Sequence, residues 1–293
     1  MAEASGLFAV VTCLRRTGRI LCGVTLTRSQ VRDLLGRFDI RPKRSLGQHF
    51  VVEPNTVRRI VELAEIGSGD RVLEVGPGLG ALTLALLETG AEVTAVEVDD
   101  RLIEALKEVL VGRQGLRIVH ADAMKIDWSH LLGEDSWSMV ANLPYNISTP
   151  LICNLLEEVS AVSRFFVMVQ LEVADRLVAS PGDTAYGLPS VRVAYHANAR
   201  KIMRVPSSVF WPRPRVESAL VEIVRHQEAA VTADSDVLFR LVQAGFAQRR
   251  KMLRRSLRGL VEEEEIFAAG IDPTARAEDL ELSEWAALAG VLT

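Results

Sequence analysis

The chain has 293 residues, 48% hydrophobic and 25% charged, with a formal net charge of −4 at pH 7. That length holds one full core plus a smaller second unit, and the composition is that of an ordinary soluble globular protein. The three cysteines, Cys13, Cys22 and Cys153, are too scattered for a zinc site or a disulfide framework, so no metal is expected and a reducing cytoplasm is the expected location.

The first apolar run, residues 7–14, is too short to cross a bilayer. Its basic neighbours Arg15 and Arg16 follow it, whereas a secretory signal carries them before. Residues 1–40 are expected as an N-terminal extension, disordered or preceding the true start. Six arginines against two acids in the first 37 residues keep an organellar presequence as the alternative. Arg41, Lys43 and Arg44 then form a basic cluster.

Apolar residues at Val57, Ile60, Val61 and Ala64 predict a helix over 54–65. From there strand and helix alternate: strand 71–75 and helix 81–88, strand 92–97 and helix 101–111, strand 116–120, strand 138–141 and helix 150–159, strand 165–170 and helix 172–179. This rhythm builds a parallel sheet with helices on both faces, and ligands bind such sheets at the strands' carboxyl ends. Two β-like runs, 191–195 and 218–224, joined by a segment rich in proline and arginine, are expected to close the sheet as an antiparallel pair. Beyond residue 225 only helical signals remain, at 236–248, 250–260, 263–269 and 283–291. The expected organisation is an extension over 1–40, a catalytic domain over 41–228 and a helical domain over 229–293, with the boundary at 226–233.

The chemistry sits at the predicted strand ends. Glu74-x-Gly76-x-Gly78-x-Gly80 places its third glycine one residue early for a dinucleotide fingerprint, and an acid beside it suits an ammonium group better than a pyrophosphate. A tight turn or a nucleotide site remains open for this motif alone. Glu97 lies 19 residues past Gly78, where a carboxylate accepts both ribose hydroxyls, and Asp122 is placed to accept from an adenine amine. Taken singly each is a solvated loop acid; in this order after a glycine turn they describe ribose, adenine and an amino acid, which together are S-adenosyl-L-methionine. Asn142-Leu143-Pro144-Tyr145 offers an amide, main-chain carbonyls and a ring on a turn that proline pre-sets. Two acceptors on an exocyclic amine hold its nitrogen nearer to tetrahedral and restore its nucleophilicity, while Tyr145 stacks on the base. The plainer reading is a proline turn after a strand. Arg249, Arg250, Lys251, Arg254, Arg255 and Arg258 fall at helical spacing and read as a polyanion-contacting face or as one solvated face of an amphipathic helix.

Taken together, these segments resemble the ribosomal RNA adenine N6,N6-dimethyltransferase family in its bacterial KsgA branch. The resemblance runs from Ser45 to the chain's end and rests on Leu46-Gly47-Gln48-His49-Phe50, the glycine motif, Glu97, Asp122-Ala123-Met124, residues 142–148, 170–178, 209–219 and 246–251, and Gly270-Ile271-Asp272-Pro273. It implies an α/β fold: a Rossmann-like class I S-adenosylmethionine-dependent methyltransferase sheet with a small C-terminal all-helical domain. It implies Gln48, His49, Val51, Gly76, Gly78, Glu97, Asp122, Ala123 and Asn142 as cofactor-binding residues, Asn142 to Tyr145 as the catalytic turn, and Arg249, Arg250, Lys251, Arg254 and Arg255 as RNA-binding residues. It further implies two adjacent adenines of 16S rRNA within an immature 30S subunit as substrate, with the protein acting as a monomer. Phe210 and Trp211 are expected either as the second wall around the base or as a packed loop. This sequence departs from the family at His49, where asparagine is usual, and at Leu171, where many relatives have lysine. A large-subunit rRNA methyltransferase of the macrolide-resistance type, which typically shows Asn-Ile-Pro-Tyr, is the nearest alternative. A non-catalytic assembly factor and a nicotinamide-dependent dehydrogenase follow it.

Overall fold

Strands buried on both faces need apolar residues at every position, and this chain supplies them in short runs separated by amphipathic helices. The structure, a computed structural model, describes residues 25–43 and 46–292. In chain order the elements are α1 (Arg28–Arg37), β1 (Phe50–Val51), α2 (Pro54–Ala64), β2 (Arg71–Val75), α3 (Ala81–Glu88), β3 (Glu92–Glu97), α4 (Asp100–Val109), β4 (Leu116–His120), α5 (Trp128–Leu132), β5 (Trp137–Asn142), α6 (Ser148–Glu158) and β6 (Val162–Gln170). They continue with α7 (Leu171–Leu177), α8 (Leu188–His196), β7 (Ala197–Val205), β8 (Phe210–Trp211), β9 (Ser218–Arg225), α9 (Ser235–Ala247), α10 (Leu253–Ser256), α11 (Glu263–Ala268) and α12 (Leu282–Val291).

The main sheet runs β4-β3-β2-β5-β6-β9-β7; β9 is antiparallel to both neighbours and the other pairings are parallel. Strand order reverses between β2 and β5, and the crevice at their carboxyl ends is where such sheets bind ligands. Alternate residues feed opposite cores. Val72, Val140, Phe166 and Met168 pack on one face with α1, α2 and α3, whereas Leu73, Met139, Phe165 and Val167 pack on the other with α6 and α7. The strongly amphipathic pattern of α2 buries Val57, Ile60, Val61 and Ala64 against the first of these cores.

Four expectations change. Residues 191–195 form a helix, not a strand. Their apolar alternation arises because α8 lies between two cores, with Val191 in the helical domain's core and Val193 in the sheet's. Pro189 in its first turn and the Ser190 hydroxyl accepting from the Gly187 N–H at 3.0 Å start this helix, and the antiparallel partner of β9 is β7 instead. Residues 250–260 supply only the short α10, because the chain turns over 248–252 and Met252 forms a bridge with Arg276. The second domain boundary is blurred: Tyr186 and Val191 belong to the same buried cluster as Leu241, Leu253 and Trp285. Residues 25–40 are not a loose extension. Leu26, Val31, Leu34, Leu35 and Ile40 enter the sheet's core, and the Thr25 hydroxyl donates to the Ala81 carbonyl at 2.7 Å. Residues 1–24, with Cys13 and Cys22, lie outside the described residues, as does Arg44. Among the described residues no helix is long and apolar enough to cross a membrane.

At the far edge of the sheet Glu222, almost fully buried, accepts from Arg164 Nη2 at 2.6 Å and from Arg200 Nε at 2.5 Å. Arg164 also donates to the Ala64 carbonyl at 2.8 Å, which ties the end of α2 to the sheet. Burial raises the Glu222 carboxyl, but hydrogen bonds and charge from Arg164 and then Arg200 outweigh it and hold it below its ordinary 4.5. A carboxylate held down in the folded state adds stability above its unfolded value and loses it as pH falls below that value. Glu222→Gln is therefore expected to cost about 2–3 kcal/mol at neutral pH, less than a fully buried pair because Arg200 stays hydrated. Urea denaturation at pH 7 and pH 4 checks this, and the gap between variant and parent should shrink at the lower pH.

Candidate active site

The reversal between β2 and β5 opens a cavity of about 260 Å³. Its floor is the turn after β2, where Gly76 and Gly78 hold φ of +73° and +57°, a region that side chains seldom adopt. Space matters as much as conformation. A Cβ on Gly76 would stand 3.0 Å from the Pro144 ring, and one on Gly78 would stand 2.9 Å from the Phe50 ring. The glycine turn and the Asn142 turn are thus in direct contact.

Glu97 ends β3 and is 6% exposed. Its Oε1 accepts from the Val98 and Asp99 N–H groups at 2.9 and 3.1 Å, and Oε2 accepts from the Gly78 N–H at 3.3 Å. Burial raises its carboxyl despite those bonds. Asp122 stands two residues past β4, its Oδ1 accepting from the Met124 N–H at 3.0 Å. Both acids line the cavity, as do Gln48, His49, Gly76, Gly78, Ala123, Asn142 and Pro144. Val51 and Leu143 do not line it; both are buried.

Asn142 closes the end of β5. Its Nδ2 donates to the His49 carbonyl at 3.0 Å, and this leaves Oδ1 buried without a partner. A buried acceptor left unpaired is costly and marks a functional group. His49 Nδ1 lies 2.8 Å from the Pro212 carbonyl, which requires the proton on Nδ1, and its ring centroid is 5.1 Å from that of Tyr145. Tyr145 is held at its hydroxyl by Ser218 Oγ, 2.7 Å away, and does not line the cavity. Phe210 is fully buried and cannot be an open wall; Trp211 is half-buried.

Three features escaped sequence reasoning. Asp99 caps α4 and accepts from Lys43 Nζ at 3.0 Å and Gln48 Nε2 at 3.4 Å, which ties the segment before β1 across the cavity. This engages Lys43 and removes it from a free basic rim. Its position directly before Asp100 at a helix start was the available signal. Glu74, expected beside a ligand ammonium, is instead turned into the core, where Thr83 Oγ1 donates to it at 2.7 Å. Burial pushes its carboxyl up to about 8. Third, the basic residues divide: Arg249 is engaged by Glu278 Oε2 at 2.7 Å and the Thr184 carbonyl at 2.9 Å, Arg254 is exposed but pairs with Glu263 Oε1 at 3.5 Å, and Arg250, Lys251 and Arg255 are exposed. Among the described residues no cluster of metal-ligating side chains occurs.

Residues 40–293 match the ribosomal RNA adenine dimethylase family. The chain belongs to that family. It is 46% identical over 273 residues to the ribosomal RNA small subunit methyltransferase A of Kineococcus radiotolerans, covering 90% of each chain. The protein of that name from Streptomyces griseus is 46% identical over 272 residues, covering 89% of this chain and 93% of that one. Among solved structures, a dimethyladenosine transferase from Plasmodium falciparum is 26% identical with a TM-score of 0.67, over 80% of this chain and 94% of that one. The 23S rRNA methyltransferase ErmE is 25% identical with a TM-score of 0.65, over 83% and 99%. The dimethylase family member described here is thus a methyltransferase with the Rossmann-like class I sheet and a helical C-terminal part.

Gly76→Ala is expected to strain the turn by about 1–2 kcal/mol and to displace Pro144, so that methyl transfer falls further than cofactor affinity does. Single-turnover rates alongside calorimetric binding of S-adenosylhomocysteine separate the two effects. For Glu74, a carboxyl raised in the folded state, the stability it contributes is present below 4.5 and is lost as pH rises to about 8. Glu74→Gln should flatten that decline in melting temperature across the same window.

Proposed function

We propose that this chain transfers methyl groups from S-adenosyl-L-methionine to N6 of two adjacent adenosines near the 3′ end of 16S rRNA, acting as a monomer on an immature 30S particle in the cytoplasm. The observation that carries the reading is the unpaired Asn142 Oδ1 at the end of β5, beside a cavity with carboxylates at two strand ends. Relatives named for small-subunit methylation favour this substrate over the large-subunit alternative, whose named structure is 25% identical.

The residues present fit the cofactor's chemistry. When bound, it supplies an electrophilic methyl on a sulfonium. Glu97, fixed by three main-chain N–H groups, accepts from the ribose hydroxyls; Asp122 accepts from the adenine amine; Gly76 lets the backbone approach the methionine moiety. Asn142 Oδ1 and the Leu143 carbonyl would accept from the two N–H groups of the target amine and so orient its lone pair. Tyr145 stacks on the extruded base, worth roughly 1–3 kcal/mol against an unstacking cost of a few kcal/mol. No covalent intermediate on the protein is required. Cys153, buried, has its thiol pushed up to about 11 by desolvation and is no nucleophile. Arg250, Lys251, Arg254 and Arg255 contact RNA phosphates from the helical domain, and Arg249 anchors their turn.

Asn142→Ala is expected to slow transfer by about 10²–10³-fold, the loss typical of one transition-state hydrogen-bond partner, while cofactor binding weakens only modestly. Glu97→Gln should instead raise the cofactor dissociation constant. Primer extension on 16S rRNA after incubation with unmethylated 30S particles reads the product, since N6 dimethylation blocks reverse transcriptase. Full turnover by Asn142→Ala would refute the acceptor role, and an absence of stops with the parent protein would refute the substrate.

A further inference from the structure

Several arginines are neutralised: Arg37, Arg71, Arg101, Arg113, Arg164 and Arg192 each have a carboxylate within hydrogen-bonding or ion-pair distance. A group around Trp211 is different. Arg28 and Arg32, four residues apart on one face of α1, both reach the loop that carries β8. Arg28 Nη2 donates to the Ser208 carbonyl at 2.8 Å, and the Arg32 guanidinium stands 5.6 Å from the Trp211 ring centroid. From the other side Arg213 Nε donates to Ser207 Oγ at 2.9 Å. All three arginines are exposed, and among the described residues none has a carboxylate within 4.0 Å. A guanidinium carries five N–H donors, so most of each donor set is free for a ligand.

This group is continuous with the catalytic turn. Trp211 pairs with Phe50 across the β1–β8 ladder, the next carbonyl, that of Pro212, accepts from His49, and His49 faces Tyr145. Cations without a carboxylate partner around a half-buried indole, on a chain of net charge −4, form a local positive field beside the site. Guanidiniums bind phosphate oxygens through paired N–H groups, and an indole stacks on a base of any sequence.

We propose that Arg28, Arg32, Arg213 and Trp211 form a second RNA-contacting surface, which holds the strand flanking the target adenosine: phosphates on the guanidiniums and one neighbouring base on the indole. This rests on the reading of RNA as the substrate. It lies on the catalytic domain, apart in the chain from the basic turn at 249–255, and adds to the contacts proposed for that turn.

The test measures binding of unmethylated 30S subunits across a salt series, with S-adenosylhomocysteine affinity and melting temperature measured in parallel. Arg32→Gln combined with Arg213→Gln is expected to weaken particle binding about tenfold near physiological salt and to reduce the slope of log K against log salt by about 1.4, or about 0.7 per lost single-strand contact. Cofactor affinity should hold. Arg213→Gln alone leaves α1 attached and should lower the slope by about half as much, so the test survives if loss of Arg32 loosens the helix. Arg32→Lys should restore the slope. An unchanged slope in Arg213→Gln and in the double variant, with parent protein that methylates the particle, would overturn the surface and leave the proposed function standing. Parent protein that places no methyl on the particle would overturn both.

Discussion

A single amide organises the site. Asn142 spends its nitrogen on the His49 carbonyl, and that bond joins the end of β5 to the segment entering β1 across the mouth of the sheet. Because one end of the amide is fixed, the other end is fixed as well: Oδ1 is buried without a hydrogen-bond partner. A hydroxyl or a water-exposed amide could turn toward solvent. This group is held in wait for a donor, and that is the preorganisation an exocyclic amine requires.

The surrounding structure keeps that geometry rigid by short, specific contacts. Pro144 lies so close to Gly76 that a Cβ there would stand 3.0 Å from the proline ring, which couples the Asn142 turn to the glycine turn. Tyr145 is held at its hydroxyl by Ser218 on β9, the antiparallel strand, so even the far side of the sheet contributes to its orientation. Asp99 draws Lys43 and Gln48 over the cavity, and α1 backs the same segment from outside. Each contact converts chain entropy lost once, during folding, into alignment that needs no rearrangement during reaction.

How legible these parts were depended on whether their signal was local. Strands β2, β3, β5 and β6, and the helices α2 and α4, were readable because burial on both faces of a sheet imposes continuous apolar runs, and a helix packed on one face imposes a 3.6-residue stripe. The stripe fails where a helix touches two cores, as α8 does, since Val191 and Val193 then alternate as they would in a strand. The basic run misled for a related reason. Helical spacing was present, but Leu253 and Leu257 are fixed in the helical domain's core, and α9 ends at Ala247 and α10 starts only at Leu253, so no single helix carries a continuous charged face.

The sequence by itself determined the order of strand ends, and with it the sequence of glycine turn, ribose acid, adenine acid and proline turn, because each is a property of a few adjacent residues. Only the tertiary structure decided which groups are free to act. Glu74 and Glu97 are both strand-associated acids, yet one is turned inward onto Thr83 and the other held by main-chain N–H groups at the cavity. Arg249 and Arg250 are neighbours, yet one is engaged by Glu278 and the other is open to solvent. Freedom of a polar group depends on what the fold brings to it from distant positions in the chain, and no local pattern records that.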